Sequence, residues 1–243
     1  MKVAIIPPLA NTELAEGDYH LILPQHITPR KRSAYKLFYQ ATSGYKILDN
    51  GAAEGKLIKN ADLMAIARTL AVDEIVVPDV LGDAAASYQL AQEFEPFALD
   101  HDWFKYMGIV QGRDRAEVAQ SVFMLMDLEY ISVLAIPRHL CQKVSRYERF
   151  DIVYAMGTDI AERFEAVHFL GSSGWPKEVV LLADLPLARG IDTSYPTYMA
   201  QMGFSIDEPW QPRPRKYFTQ ETFTEEGEAL ARDNIEQYRM WAS

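Results

Sequence analysis

Eight short apolar runs, separated by stretches with the spacing of amphipathic helices, constrain the fold of this chain more than any other feature. Most of the runs are continuously apolar, which is typical of parallel strands covered on both faces. We predict strands at residues 3–6, 20–23, 45–48, 74–78, 106–110, 131–136 and 167–170, with a short one near Ile191. We predict helices at residues 33–42, 61–71, 84–94, 115–128, 147–164, 177–185 and 225–240.

Strands that alternate with helices in this way predict an α/β protein, a single (β/α)8 barrel of the TIM type. The chain has 243 residues, close to the roughly 250 of one such domain. Because no linker rich in glycine or proline divides it, we expect one barrel domain over residues 1–243 with a C-terminal helix. A doubly wound open sheet is the alternative. Asn60, Asp83 and Asp114 each precede a predicted helix and are expected to cap it.

Composition narrows the class of protein. No apolar run approaches the roughly 20 residues that cross a bilayer, so we expect no membrane association. The N-terminal MKVAIIPPLA reaches Pro7 too early for a signal peptide, which predicts a cytoplasmic protein, or one in the host cytoplasm if it is phage-encoded. Cys141 is the only cysteine and the histidines lack metal-ligand spacing, so we expect no disulfide, no zinc site and no cofactor.

The net charge of −10 argues against a general nucleic-acid-binding protein, yet basic residues gather in short runs. Such runs are solvated surface unless several share one face, where they would form a track for phosphates. Each run taken singly is expected to be solvated, including the run of Arg138, Lys143, Arg146 and Arg149. The candidate nucleic-acid contacts are Arg30, Lys31, Arg32, Arg138, Arg213, Arg215 and Lys216.

Polar side chains follow four of the predicted strands. These residues are Asp49, Asp79, Gln111 and Asp192. Turn formation or helix capping would explain any one of them. The carboxyl ends of barrel strands line the active site, however, so the four together predict one pocket and an enzyme. Paired carboxylates suit displacement at an anomeric carbon, and a glycosidase is one such enzyme.

Four segments carry a more specific resemblance. Residues 48–51 (LDNG) resemble an Asp-Ser-Gly-Gly segment, and residues 107–112 (MGIVQG) are similar to a Gly-Ile-Val-Gln-Gly strand. Residues 167–172 (VHFLGS) resemble a Tyr-Leu-Met-Gly-Val strand, and residues 189–194 (RGIDTS) are similar to a segment that holds a nucleophilic aspartate. The four segments that these stretches resemble are all found in tRNA-guanine transglycosylases. The matching stretches of this chain stand in that family's order. The chain therefore resembles this superfamily over roughly residues 45–194.

The resemblance implies a base exchange at a nucleoside through a covalent glycosyl-enzyme. By the family's pattern Asp192 is the nucleophile and Asp49 is the general acid and base. A gapless match to the second aspartate of the family's Gly-Val-Asp-Met-Phe-Asp segment would fall on Tyr195 instead. The Asp-Thr pair at Asp192 is similar to the Asp-Ser pair of archaeal relatives, which favours Asp192.

The resemblance also implies how a purine would be held. Asp79 would accept hydrogen bonds from the N–H groups of a guanine-like base, and Gln111 would donate to its carbonyl oxygen. Backbone N–H groups near Gly171 would assist, and Asn50 and Gly112 complete the expected substrate-binding residues.

Two departures from the family bear on the substrate. Its Gly-Gly after the next strand is replaced by residues 136–138 (IPR), which leaves the incoming base open. The Cys-x-Cys-x-x-Cys…His motif of the zinc-binding subdomain, which helps to hold tRNA, is missing. A barrel without it looks like the phage and bacterial DNA-guanine transglycosylases, so we expect DNA and a free 7-deazaguanine base, such as 7-cyano-7-deazaguanine, as partners. Trp103, Phe104 and Trp175 are expected in loops at the active-site end, where they would stack on a flipped base.

Two alternatives stay open beside the glycosidase. The chain would be a tRNA-guanine transglycosylase of reduced size if tRNA were its substrate. It would be a catalytically inactive nucleic-acid-binding subunit if the nucleophile were lost. Accessory proteins or a homodimer are also compatible with the sequence.

Overall fold

The computed structural model describes residues 1–27, 33–138, 140, 148–172, 174–219 and 222–243, and it confirms the barrel. The strands are β1 (Lys2–Ile5), β2 (Tyr19–Ile22), β3 (Tyr45–Leu48), β4 (Glu74–Val76), β5 (Lys105–Ile109), β6 (Val133–Pro137), β7 (Ala166–Leu170) and β8 (Ala188–Thr193). All ladders are parallel, in the order β1-β8-β7-β6-β5-β4-β3-β2. The strands at the two ends of this order, β1 and β2, contact each other, so the sheet is nearly closed.

Helices follow the strands around the outside of the sheet. They are α1 (Ala34–Ala41), α2 (Asn60–Leu70), α3 (Ala84–Leu99), α4 (Arg115–Met126), α5 (Glu148–Ala155), α6 (Gly157–Arg163), α7 (Pro176–Ala183), α8 (Tyr195–Gln201) and α9 (Glu225–Trp241). No helix in the described part of the chain is both long and apolar enough to cross a membrane.

Two of the three predicted caps are confirmed. The side chain of Asp83 accepts a hydrogen bond from the N–H of Ala86, and that of Asp114 accepts one from Glu117. The prediction for Asn60 is wrong, because α2 begins at Asn60 itself after Lys59, whose backbone is extended. With helical geometry already at residue 60, its side chain is not in the cap position.

The single helix predicted at residues 147–164 is wrong as well. The structure has α5 and α6 in its place, because Met156 adopts a non-helical φ of −109° and ψ of 12° between them. Gly157 follows that break, and glycine is a weak helix former. The helix predicted at residues 84–94 is longer than expected and runs on to Leu99.

The core lies on both sides of the strands. Ile47, Leu48, Ile75 and Val133 are fully buried, and a side chain of this size contributes roughly 1.5–3 kcal/mol on burial. The barrel interior is not purely apolar, because several polar side chains are buried there beneath the carboxyl ends of the strands. Some of these polar side chains line the candidate site described next.

Candidate active site

The carboxyl ends of the strands surround a cleft of about 370 Å³. The four residues predicted from strand ends, Asp49, Asp79, Gln111 and Asp192, all line it. The first three follow β3, β4 and β5, and Asp192 lies in β8 opposite Ala4 of β1. The structure therefore brings together side chains that are up to 143 residues apart in the chain (192 − 49 = 143).

Asp49 is a buried carboxyl group in an acidic environment. Burial raises the pKa of Asp49 to about 8, and the negative charges of Glu54 and Asp192 act in the same direction. The N–H of Gly51 lies 3.3 Å from Oδ2. Asp49 therefore holds a proton near neutral pH, which is the condition for a general acid.

Asp192 is held at one of its two carboxylate oxygens. Oδ1 accepts a hydrogen bond from the N–H of Gly171 at 2.9 Å and lies 3.2 Å from Nε2 of His168. Among the described residues, no hydrogen-bond donor lies on Oδ2. One oxygen is thus fixed by two donors while the other is left to face the cleft that Asp192 lines.

Asp79 and Gln111 are hydrogen-bonded to each other rather than standing apart. Nε2 of Gln111 donates to Oδ2 of Asp79, and Nδ2 of Asn50 donates to Oδ1 at 2.8 Å. The N–H of Gly82 donates to Oε1 of Gln111, which fixes the orientation of the amide. Burial raises the pKa of Asp79, and the bonds from Asn50 and Gln111 oppose that shift. An ionised carboxylate has about four acceptor sites, so these two bonds leave capacity for a ligand.

The loop after β7 places the N–H of Gly171 against Asp192. The side chain of a buried arginine, Arg149, binds the carbonyl oxygen of the same glycine. Nη1 of Arg149 donates to the carbonyl oxygen of Gly171 at 2.8 Å, and Nε of Arg149 donates to Glu178 at 3.0 Å. The expectation that Arg149 is solvated is wrong, because its side chain is fully buried. The acidic partner on α7, which neutralises the guanidinium, explains that burial.

Two of the predicted nucleic-acid contacts lie at the cleft. Arg138 and Arg213 are lining residues; Arg138 donates to the carbonyl oxygen of Ser172 at 2.7 Å, and the Arg213 guanidinium lies 5.2 Å from the centre of the Phe218 ring. Arg215 and Lys216 are exposed and do not line the cleft. The other predicted contacts, Arg30, Lys31 and Arg32, lie outside the described residues.

Two further site residues were missed by reasoning from strand ends. Glu54 lines the cleft; burial raises its pKa and the charge of Arg213 lowers it. Its position five residues after Asp49 in the same segment was a usable signal. His168 lies within a predicted strand rather than at its end, and its contact with Asp192 depends on the pairing of β7 with β8.

Several residues that the sequence suggested for the site do not have the expected position or contacts. Gly112 lies outside the cleft lining, and a Cβ there would come within 2.7 Å of the backbone nitrogen of Val118, so close packing against α4 requires glycine. The hydroxyl of Tyr195 points to the carbonyl oxygen of Ile206, at 3.5 Å, although its ring lines the cleft. The expected position of Trp103 and Phe104 is wrong, because they precede β5 and so lie at the amino ends of the strands.

Trp175 does follow β7 and directly precedes α7 at the carboxyl ends of the strands, but it does not line the cleft. The aromatic side chains that do line it are those of Tyr195, Tyr198, Trp210 and Phe218. Trp210 is 55 % exposed, so much of its indole is accessible at the cleft mouth.

The described residues contain no cluster of three or more His, Cys, Asp or Glu side chains that could hold a metal ion. No protein-family model matches the chain, and no curated protein sequence is significantly similar to it. The functional assignment therefore depends on the geometry of the cleft and on the four sequence segments that surround it.

Proposed function

We propose that this chain is a DNA-guanine transglycosylase, which exchanges guanine in DNA for a 7-deazaguanine base. One observation carries the proposal: a single cleft holds a carboxyl group that keeps its proton near neutral pH, Asp49, and a carboxylate with one oxygen free to react, Asp192. The Asp79–Gln111 pair beside them offers hydrogen bonds to the edge of a purine. The volume of 370 Å³ falls within the roughly 300–1,000 Å³ of small-ligand sites.

The reaction follows from these two carboxyl groups. Asp192 attacks C1′ of the deoxyribose, and the electron pair of the C1′–N9 bond passes to the departing guanine. Asp49 gives its proton to that base, so guanine leaves as a neutral molecule. The incoming 7-deazaguanine then returns a proton to Asp49 and attacks C1′, and the bond to Asp192 breaks. Two displacements leave the configuration at C1′ unchanged.

Recognition of the polymer has two parts. Arg138 and Arg213 at the cleft would contact phosphates, and each phosphate contact contributes about −0.9 to the slope of log K against log salt. A base in a duplex must leave the stack to reach a carboxylate at the bottom of a cleft, and Trp210 at the mouth offers a face for stacking. DNA is favoured over tRNA because the sequence carries no zinc-binding motif of the tRNA enzymes.

The experiment that tests this function offers labelled 7-cyano-7-deazaguanine with three polymers. These are duplex DNA, DNA with an unpaired bubble that removes the need for accessory proteins, and tRNA. We expect label in DNA and a denaturant-stable enzyme–DNA adduct, and neither with Asp192→Asn. Asp62→Asn, which removes an exposed carboxylate on α2, is the matched control and should behave as the natural chain does.

Other outcomes assign the protein differently. Label in tRNA alone would make it a tRNA enzyme of reduced size. Tight polymer binding without label or adduct under every condition would leave a nucleic-acid-binding subunit without catalysis. An adduct that persists in Asp192→Asn would move the nucleophile to another residue.

A further inference from the structure

A continuous series of buried hydrogen bonds runs from Asp192 down through the barrel interior. Nε2 of His168 lies 3.2 Å from Oδ1 of Asp192, and Nδ1 of His168 lies 2.9 Å from the hydroxyl of Tyr19. Nε of Arg189 donates to that hydroxyl at 3.1 Å, and its two other nitrogens donate to Glu74 at 2.7 and 2.8 Å. His168 and Glu74 are fully buried and Tyr19 is 2 % exposed.

The hydrogens in this series can be placed from the chemistry of its members. A guanidinium only donates, so the Tyr19 oxygen accepts from Arg189 and its own hydrogen is directed elsewhere. Burial raises the pKa of Tyr19, so the hydroxyl keeps its proton, and Nδ1 of His168 is the acceptor within reach. A neutral imidazole that accepts at Nδ1 carries its proton on Nε2. Nε2–H therefore donates to Asp192.

We propose that His168 is the positioning residue of the nucleophile: with the N–H of Gly171 it holds Oδ1 of Asp192 and leaves Oδ2 to attack C1′. Tyr19, anchored by the Arg189–Glu74 pair, selects the histidine tautomer that makes this contact. This inference rests on the proposed transglycosylase function and adds to it which oxygen reacts and what orients it.

The two donors act in both halves of the exchange. As Oδ2 bonds to C1′ and guanine leaves with its electron pair, Oδ1 becomes the carbonyl oxygen of the ester and keeps both N–H contacts. When the incoming base displaces the ester, the electron pair of the C1′–Oδ2 bond returns to the carboxylate, and the donors stabilise its charge. His168 neither gains nor loses a proton in either half.

Three variants separate positioning from packing. His168→Leu removes both nitrogens, His168→Gln returns an N–H near the place of Nε2, and Tyr19→Phe keeps the ring but removes the hydroxyl that selects the tautomer. Loss of one preorganised donor to a reacting group costs about 10²–10³ in rate. In single-turnover assays with guanine-containing DNA we expect adduct formation to slow about 100-fold in His168→Leu, to recover at least tenfold in His168→Gln, and to slow about tenfold in Tyr19→Phe. DNA affinity should change less than about threefold, because none of these groups reaches the polymer.

A second measurement does not depend on catalysis. ¹⁵N chemical shifts of the histidine rings distinguish the two neutral tautomers; we expect Nε2–H for His168 in the natural chain and a mixture in Tyr19→Phe. A proton on Nδ1 in the natural chain would overturn the inference and leave the proposed function intact. Wild-type adduct rates in both His168 variants would do the same. A natural chain that forms no adduct with any DNA would overturn the proposed function and this inference with it.

Discussion

Replacing Asp49 with asparagine should make the stability of the protein less sensitive to pH. In the folded chain burial raises the pKa of Asp49 to about 8, whereas the ordinary value for an aspartate is 3.8. Between these two values the folded carboxyl group holds a proton that the unfolded chain has released. Stability from this group is therefore present below about pH 4 and is lost as the pH rises toward 8.

The size of the effect follows from one proton. A single group that is protonated only in the folded state lowers the free energy of unfolding by about 1.4 kcal/mol for each pH unit. From pH 5 to pH 7 the natural chain should therefore lose roughly 2–3 kcal/mol on account of Asp49. The amide that Asp49→Asn introduces cannot ionise, so this variant should not show that loss. The free energy of unfolding of the variant minus that of the natural chain should therefore rise by the same amount from pH 5 to pH 7.

Urea unfolding of both proteins at pH 5, 6 and 7 measures the difference directly. Asp62→Asn controls for the loss of one negative charge, because its carboxylate is exposed on α2. Its difference from the natural chain should be the same at all three pH values. If the curves of Asp49→Asn and the natural chain stay parallel over this range, Asp49 is ionised in the folded protein and the acid role proposed for it fails.

Three further predictions concern Asp49, Ala71 and Arg189. Single-turnover adduct formation should be constant between about pH 6 and pH 8 and fall tenfold per pH unit above that range, as Asp49 loses its proton; a rate that rises there would contradict the acid role. Ala71→Gly should stabilise the protein by about 1 kcal/mol in thermal unfolding, because Ala71 ends α2 with a φ of 48° that favours glycine, and a lower melting temperature would show that this strain is absent. Arg189→Met should cost about 3–5 kcal/mol in urea, since it leaves the carboxylate of Glu74 buried without its partner, and adding Glu74→Gln should recover part of that loss.

The barrel could be predicted from the sequence because its strands are short, continuously apolar and regularly spaced. All eight appear within a few residues of their expected places, and the strand ends supplied four residues that do share one cleft. That reasoning uses only chain order, since every strand of a parallel barrel ends at the same side. The same rule would have put Trp103 and Phe104 at the far side, because they precede a strand rather than follow one.

What could not be predicted depends on pairings across the barrel. His168 meets Asp192 because β7 pairs beside β8 with an irregular register between Val167 and His168, a detail set by tertiary packing. Arg149 is buried because Glu178, on another helix, neutralises it. Composition and periodicity describe one segment at a time, so neither contact is visible in them.

The ladder between the first strand and the last has a consequence for how the site forms. The strand that carries Asp192 is flanked on one side by β1, which pairs Ala4 with Asp192, and the N-terminal amine of Met1 donates to the carbonyl oxygen of Ala242 in the last residues. Contacts so distant in sequence form slowly, because loop closure must precede them. We therefore expect the ladder between β1 and β8, and with it the position of Asp192 in the cleft, to form late in folding. Amide hydrogens of β1 and β8 should exchange with solvent together, as one cooperative unit.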